Sequence, residues 1–231
     1  AGSVSVLEGK AFEAQPITTV QEALQGRVSG VNIVSDGLPG GSTKIRIRGA
    51  NSINKSNDPL YVVDGLVRES GLDGINPEDI ASMQILKDAS SAAIYGSRAA
   101  NGVILISTKS ASTERPSVTL NAQYGWSKVR KSMDVLNAAQ YKELQDEIGM
   151  ISLPDNLRDR TDWFDETYRT GSNQNYQVSI SQNTGKTKYL MNLGYLREDG
   201  VIKPSFYNRY NFRVNVESEV FSWLTATANV M

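Results

Sequence analysis

The sequence predicts a small mixed α/β unit followed by antiparallel strands that cross a membrane as part of an incomplete β-barrel. Three observations carry this prediction. Up to about Lys109, short helix and strand signals alternate. From Ser117 onward, five segments show period-two alternation of apolar and polar side chains. Those segments run to about nine to eleven residues, the length of a tilted strand through a bilayer.

In the first half, SVSVLEG reads as a short strand. ITTVQEALQGRVSG follows, with Val20, Leu24 and Val28 on one helix face. Thr18 or Thr19 caps its start, with Gln21 or Glu22 placed for a capping box, and Gly30 stops it. VNIVS and TKIRIRG are strands joined by the turn cluster DGLPGGS. LYVVDGLVRES places Asp64-Gly65, a hairpin dipeptide, between apolar runs. Asn76-Pro77 starts a short helix, with asparagine as its cap. The strand MQIL leads into LKDASSAAIYGSRAANGVILISTK. There Asp88 caps a short helix of small residues packed close to the sheet, Gly96 ends it in the left-handed conformation, and Asn101-Gly102 turns into VILIST.

In the second half, Val118, Leu120, Ala122, Tyr124 and Trp126 alternate with Thr119, Asn121, Gln123 and Gly125. The pattern returns around Tyr176–Ile180, Tyr189–Tyr195, Tyr210–Val216 and Leu224–Val230. A soluble antiparallel sandwich alternates in the same way. Aromatics toward strand ends, a face dense in Asn, Gln, Thr and Arg, and long connections alternating with short ones favour a membrane barrel. The long connection is residues 131–172, and NTGKT is short. Bacterial barrels start at about eight strands. An open edge in a bilayer leaves backbone groups unpaired, so the chain is expected to be the N-terminal piece of a longer protein.

Composition excludes much chemistry. The 231 residues contain no Cys and no His, which removes thiolate nucleophiles, His-based triads and the commonest metal ligands. No cofactor or metal is expected, and no spacing singles out a catalytic carboxylate pair, so no enzyme is expected. A net charge of -1 provides no basic face for nucleic acid. GLPGGSTK lacks the spacing of a phosphate loop. The start, AGSVSVLEGK, has no signal-peptide pattern, so such a segment is expected to be removed or upstream.

VQEALQGRVSGVNIVSDGLPGGSTKIRIRGANSINKSNDPLYVVDG and INPEDIASMQILKDASSAAIYGSRAANGVILISTK closely resemble the plug domain of TonB-dependent outer-membrane receptors, more narrowly the SusC/RagA type of Bacteroidetes. The blocks NAAQYKELQDEIG, DWFDETYRTGSNQNYQVSIS and KTKYLMNLGYLREDGVI resemble the first barrel strands of that type. The resemblance implies a plug domain over residues 1–111 and first barrel strands over 112–231. It implies a plug filling the lumen of a barrel in the outer membrane, its strands meeting lipid. It further implies energy from a TonB complex acting on an N-terminal segment, a SusD-type surface lipoprotein as a lid, and an oligosaccharide or peptide as cargo. A soluble secreted glycan-binding β-rich domain is the alternative.

The resemblance also marks residues. Arg48 and Lys87, at the ends of two strands, and Arg98 are expected to hold the plug in the barrel. A charge inside a lumen needs a partner. The turn clusters around Asp36, around Asn51, Asn54, Lys55 and Asn57, and around Arg68 and Ser70 are expected to face ligand. Trp163, Phe164 and Tyr168 are expected to anchor the long loop at the rim.

Overall fold

The computed structural model describes residues 4–9, 17–49, 56–68, 71–72, 74–88, 93–130, 135–151, 153–154 and 161–231. The N-terminal part holds β1 (Val4–Glu8), α1 (Val20–Leu24), β2 (Val31–Ser35), β3 (Thr43–Ile47), β4 (Leu60–Val63), β5 (Leu66–Arg68), β6 (Ile80–Leu86) and β7 (Val103–Thr108). Five of these strands form one sheet in the order β1-β6-β7-β4-β5, and β2 and β3 form a separate ribbon. Within the sheet only β4 and β7 run parallel. The core between sheet, ribbon and helix contains Val20, Leu24, Ile45, Ile80, Ile85 and Ile104. Each of these side chains, removed from water, contributes about 1.5–3 kcal/mol.

Local chemistry explains most boundaries. Thr19 caps α1 through its hydroxyl, and the Glu22 carboxylate reaches back to the Thr19 backbone, a complete capping box. The helix is shorter than its periodicity predicts. Gln25 turns extended and Gly26 has φ +72°, so the chain leaves the helix before Val28. Val28 still reaches the core, from the turns that follow. Gly30 therefore does not end the helix. Asp64 (φ 49°) and Gly65 (φ 85°) make the predicted tight hairpin between β4 and β5. Asn76 caps a single 3-10 turn, Pro77–Asp79, its side chain accepting from the Glu78 N–H.

The small-residue stretch departs from expectation. Its described part, Ala93–Ala99, is 3-10 helix that resumes after Gly96, and Gly96 (φ 68°, ψ -157°) kinks it outside the left-handed helical region instead of ending it there. The residues that Asp88 is expected to cap, 89–92, lie outside the described residues. Ala99 and Tyr95 pack with Val62, Leu86 and Val103, whereas Ile94 is 83% exposed. Among its described residues, close packing on the sheet is thus confined to one side.

The C-terminal part is a five-stranded antiparallel wall of β8 (Ser117–Ser127), β9 (Gly171–Asn183), β10 (Thr187–Asp199), β11 (Phe206–Phe221) and β12 (Leu224–Val230). Three of its strands exceed the predicted length, with β11 reaching 16 residues. The long connection carries α2 (Ala138–Ile148) and α3 (Trp163–Thr167). Among the described residues no helix is long and apolar enough to cross a membrane. Phe164 and Tyr168 pack together with ring centroids 4.4 Å apart, but Trp163 is 75% exposed.

Register sorts the wall into two faces. Leu120, Val178, Leu193 and Phe212 are successive cross-strand partners, as are Ala122, Tyr176, Tyr195 and Tyr210. These rows lie on one face, where Leu120, Leu193, Phe212 and Tyr210 are exposed. The opposite face carries the rows Asn121–Gln177–Gly194–Asn211 and Thr119–Ser179–Asn192–Arg213. That polar face is covered by the N-terminal part, so Gln177, Asn192 and Arg213 are buried.

Candidate functional site

The contact between the N-terminal part and the wall is built on two acidic turns. The first is the Pro77–Asp79 turn, whose cap and proline fix it at the start of β6. Asp79 Oδ1 accepts from Gln177 Nε2 at 2.9 Å and from Asn192 Nδ2 at 2.6 Å. Glu78 accepts from Asn121 Nδ2 at 2.8 Å and from Asn175 Nδ2 at 3.1 Å. Asn76 Nδ2 donates to Gln177 Oε1 at 3.3 Å. Gly194 lies directly behind: a Cβ there would stand 3.2 Å from Asn76 Nδ2, so the missing side chain allows the turn to approach the strand. Burial raises the Asp79 pKa above the ordinary carboxylate value, opposed by the positive charge of Arg213 and the two amide donors.

The second turn is Asp64-Gly65. Asp64 Oδ1 accepts from the Thr108 N–H at 2.9 Å, and Oδ2 accepts from the Thr108 hydroxyl at 2.6 Å. Arg213 Nη2 donates to Asp64 Oδ2 at 3.0 Å and also to Thr108 Oγ1. Nearer the β10–β11 connection, Arg209 Nη1 donates to the Thr18 carbonyl at 2.9 Å and Asn211 Nδ2 to the Gly74 carbonyl at 2.7 Å. The Tyr207 ring occupies the space where Gly40 would carry a Cβ, and Pro39 lies against Gly200. The loop Asp36–Gly41 is thereby seated at the end of the wall where the connections are longer.

Two clefts open on the N-terminal part. One, of about 280 Å³, lies between α1, Ser42, Gly74, Tyr207 and Arg209. The other, of about 410 Å³, is lined by Lys44, Ser56, Asp58, Tyr61 and Arg68 among others. Both mix polar and apolar groups. Among the described residues no group of three or more acidic side chains is placed to hold a metal ion.

The residues singled out in the sequence occupy different places. Arg48 (φ 59°) pairs with Asp88 at 2.5 Å, within the N-terminal part. Lys87 Nζ donates to Ser29 Oγ at 3.4 Å. Arg98 is exposed in the 3-10 stretch. Asp36 turns its carboxylate into its own loop, accepting from Leu38 N at 3.1 Å and Ser42 N at 3.0 Å. Asn57 is half-buried, and Arg68 lines the larger cleft. Asn51, Asn54, Lys55 and Ser70 lie outside the described residues.

The sequence reading missed the residues that join the two parts. Asp64 and Asn76 read only as turn and cap residues, and Glu78 and Asp79 had no assigned role. Asn175, Gln177, Asn192, Arg209 and Arg213 were legible as the polar face of alternating strands, but their partners were not.

The comparisons agree with this architecture. A family described as the TonB-dependent Receptor Plug Domain matches residues 1–103. The TonB-dependent receptor SusC of Bacteroides thetaiotaomicron is 39% identical over 231 residues, covering 95% of this chain and 23% of that protein. The TonB-dependent receptor P3 of Formosa agariphila is 41% identical, covering 99% of this chain and 23% of that protein. A solved structure of the RagAB peptide importer in its open-open state superposes with a TM-score of 0.88 at 29% identity, covering 99% of this chain and 30% of the other. The chain thus spans about a quarter of the length of the curated relatives it matches. With the sheet, the wall and the polar seam between them all in place, the chain belongs to the TonB-dependent receptors of the SusC/RagA type.

Proposed function

We propose that this chain is the plug (residues 1–111) and the first wall strands (112–231) of a receptor importing a nutrient, an oligosaccharide or a peptide, across an outer membrane. The observation that carries the reading is the two-faced wall. Its outward rows are apolar and exposed, as lipid requires, while its inward rows are polar and bonded to the plug. A soluble sandwich would bury the apolar face instead.

In this reading the energy comes from a TonB complex, a SusD-type surface lipoprotein closes the outer mouth, and the chain performs no catalysis. The plug clefts and the loops at Asp36, Asn57 and Arg68 are the first ligand surfaces to test. Arg48, Lys87 and Arg98 are the further plug groups that this reading places against the completed barrel. The matched solved structure is a peptide importer, which supports the peptide class, and the oligosaccharide class rests on the resemblance.

The test is uptake. A strain lacking the full receptor, offered labelled oligosaccharides and peptides, is expected to lose uptake of one class and regain it on complementation. Unchanged uptake of every compound would refute import. Recovery of the full receptor in the soluble fraction would refute the membrane assignment.

A further inference from the structure

Arg213 is 3% exposed, and one nitrogen of its guanidinium has no acceptor among the described residues. Nη2 holds Asp64 and Thr108, whereas Nη1 has no hydrogen-bond partner among the described residues. A buried charged donor without an acceptor is unfavourable, so an arrangement that offers Nη1 a carboxylate is favoured over this one. A second carboxylate is close by. Asn192 is the direct cross-strand partner of Arg213, and Asn192 Nδ2 donates to Asp79 Oδ1 at 2.6 Å. The end of β7 links the two acidic turns through adjacent residues. The Thr108 N–H donates to Asp64 Oδ1 at 2.9 Å, and the next N–H, of Lys109, donates to the Asp79 carbonyl at 2.8 Å. One wall cation is thus in direct contact with the Asp64 carboxylate, and its cross-strand neighbour Asn192 holds a second plug carboxylate, Asp79, that feels its charge.

We propose that Arg213 is a two-position catch, holding the Asp64 hairpin turn in the arrangement described here and transferring to Asp79 when that turn disengages. The guanidinium fork carries donors on both sides, which suits exchange between two carboxylates without breaking contact with the plug. Asp79 is ready to receive it, being buried, within electrostatic reach of Arg213, and held by neutral amides rather than a direct cation. The Pro77–Asp79 turn keeps its bonds to Asn121, Asn175, Gln177 and Asn192 in both positions. The hairpin of β4 and β5 is then the part of the plug that moves first, and the Pro77–Asp79 turn is the part that stays.

The test uses the full-length receptor containing this chain, with Asp64→Asn and Asp79→Asn variants. Asparagine tolerates the positive φ at position 64, so the turn itself is retained. In Asp64→Asn, a cryo-electron microscopy structure is expected to show the Arg213 guanidinium within hydrogen-bonding distance of Asp79. Amide exchange over Leu66–Arg68 is expected to rise about tenfold while exchange at Glu78–Asp79 does not rise. In Asp79→Asn, Arg213 is expected to stay on Asp64 with hairpin exchange unchanged. Arg213 remaining at Thr108 in Asp64→Asn, or faster exchange of both turns together, would overturn the catch. Equal loosening of the hairpin in the two variants would overturn it as well. None of these readouts depends on transport, so failure of the import assignment would leave the result interpretable.

Discussion

Arg213 is the side chain on which most of the seam converges. It is nearly fully buried, and Asp64 is its direct ion partner. Removing one member of a buried pair leaves the other uncompensated, so Arg213→Ala is expected to cost about 3–5 kcal/mol in the full receptor. The measurement is thermal or denaturant unfolding in detergent, and a loss below about 1 kcal/mol would mean the pair is hydrated rather than structural. Asp79 provides a test in pH. Burial raises its folded-state pKa, so the stability it contributes is full below its unfolded value and is lost as pH rises through the folded one. The charged groups around it are Arg213, Glu78 and Arg209, with Asn192 and Gln177 as neutral donors. Asp79→Asn stands in for the protonated form. The stability difference between this variant and the parent is therefore expected to favour the variant near neutrality and to shrink as pH falls toward the ordinary carboxylate range. A difference independent of pH would show that Asp79 does not titrate between the folded and unfolded states.

The Pro77–Asp79 turn can meet β10 because Gly194 leaves room for the Asn76 amide. Gly194→Leu is expected to push the turn off the wall at about 1–3 kcal/mol, seen as faster amide exchange over Glu78–Asp79. Unchanged exchange would show that the turn adjusts around the added side chain. How much was legible in the sequence differs between elements for physical reasons. The α1 capping box, the Asp64-Gly65 hairpin and the Asn76 cap depend on residues within a few positions of one another, and all three formed. The length of α1 and the path after Ala93 depend on backbone choices at Gln25, Gly26 and Gly96 that compete with the apolar pattern. Strand ends behaved in the same way. Cross-strand pairing extends β11 to 16 residues, past where its clean alternation ends.

The molecule as described has an inside and an outside of opposite character. On the outward face, Tyr176 and Tyr195 stack with centroids 6.5 Å apart, and Tyr195 and Tyr210 lie 5.1 Å apart. At the other end of the wall Phe221 and Trp223 stack at 5.6 Å. From Tyr210 to Phe221, about 37 Å of strand tilted by about 45° spans about 26 Å, close to the height of a membrane barrel's apolar band. Leu193 lies inside that band, 48% exposed. Leu193 pairs with Phe212, two residues from the Tyr210 edge. Leu193→Arg is therefore expected to cost about 1–2 kcal/mol, less than at the midplane, and to lower the amount of folded receptor in the outer-membrane fraction, read by heat-modifiable gel migration. Normal levels of folded variant would indicate that this face does not meet lipid.

The alternation of side chains determined which face of each strand is apolar, because the period of two is a property of the extended backbone alone. Turn and cap chemistry determined where the hairpin and the Asn76 turn begin. What covers the polar face was decided only in three dimensions. Alternation is equally compatible with a wet lumen, and nothing in the strands names Asp64, Glu78 or Asp79 as partners. Asp79 and Asn192 are separated by 113 positions, and Asp64 and Arg213 by 149. Such pairs exist only once the plug sheet and the wall register place two turns opposite two rows of side chains. Arg48 shows the same limit from the other direction, since its charge required a partner but only the fold placed Asp88 beside it.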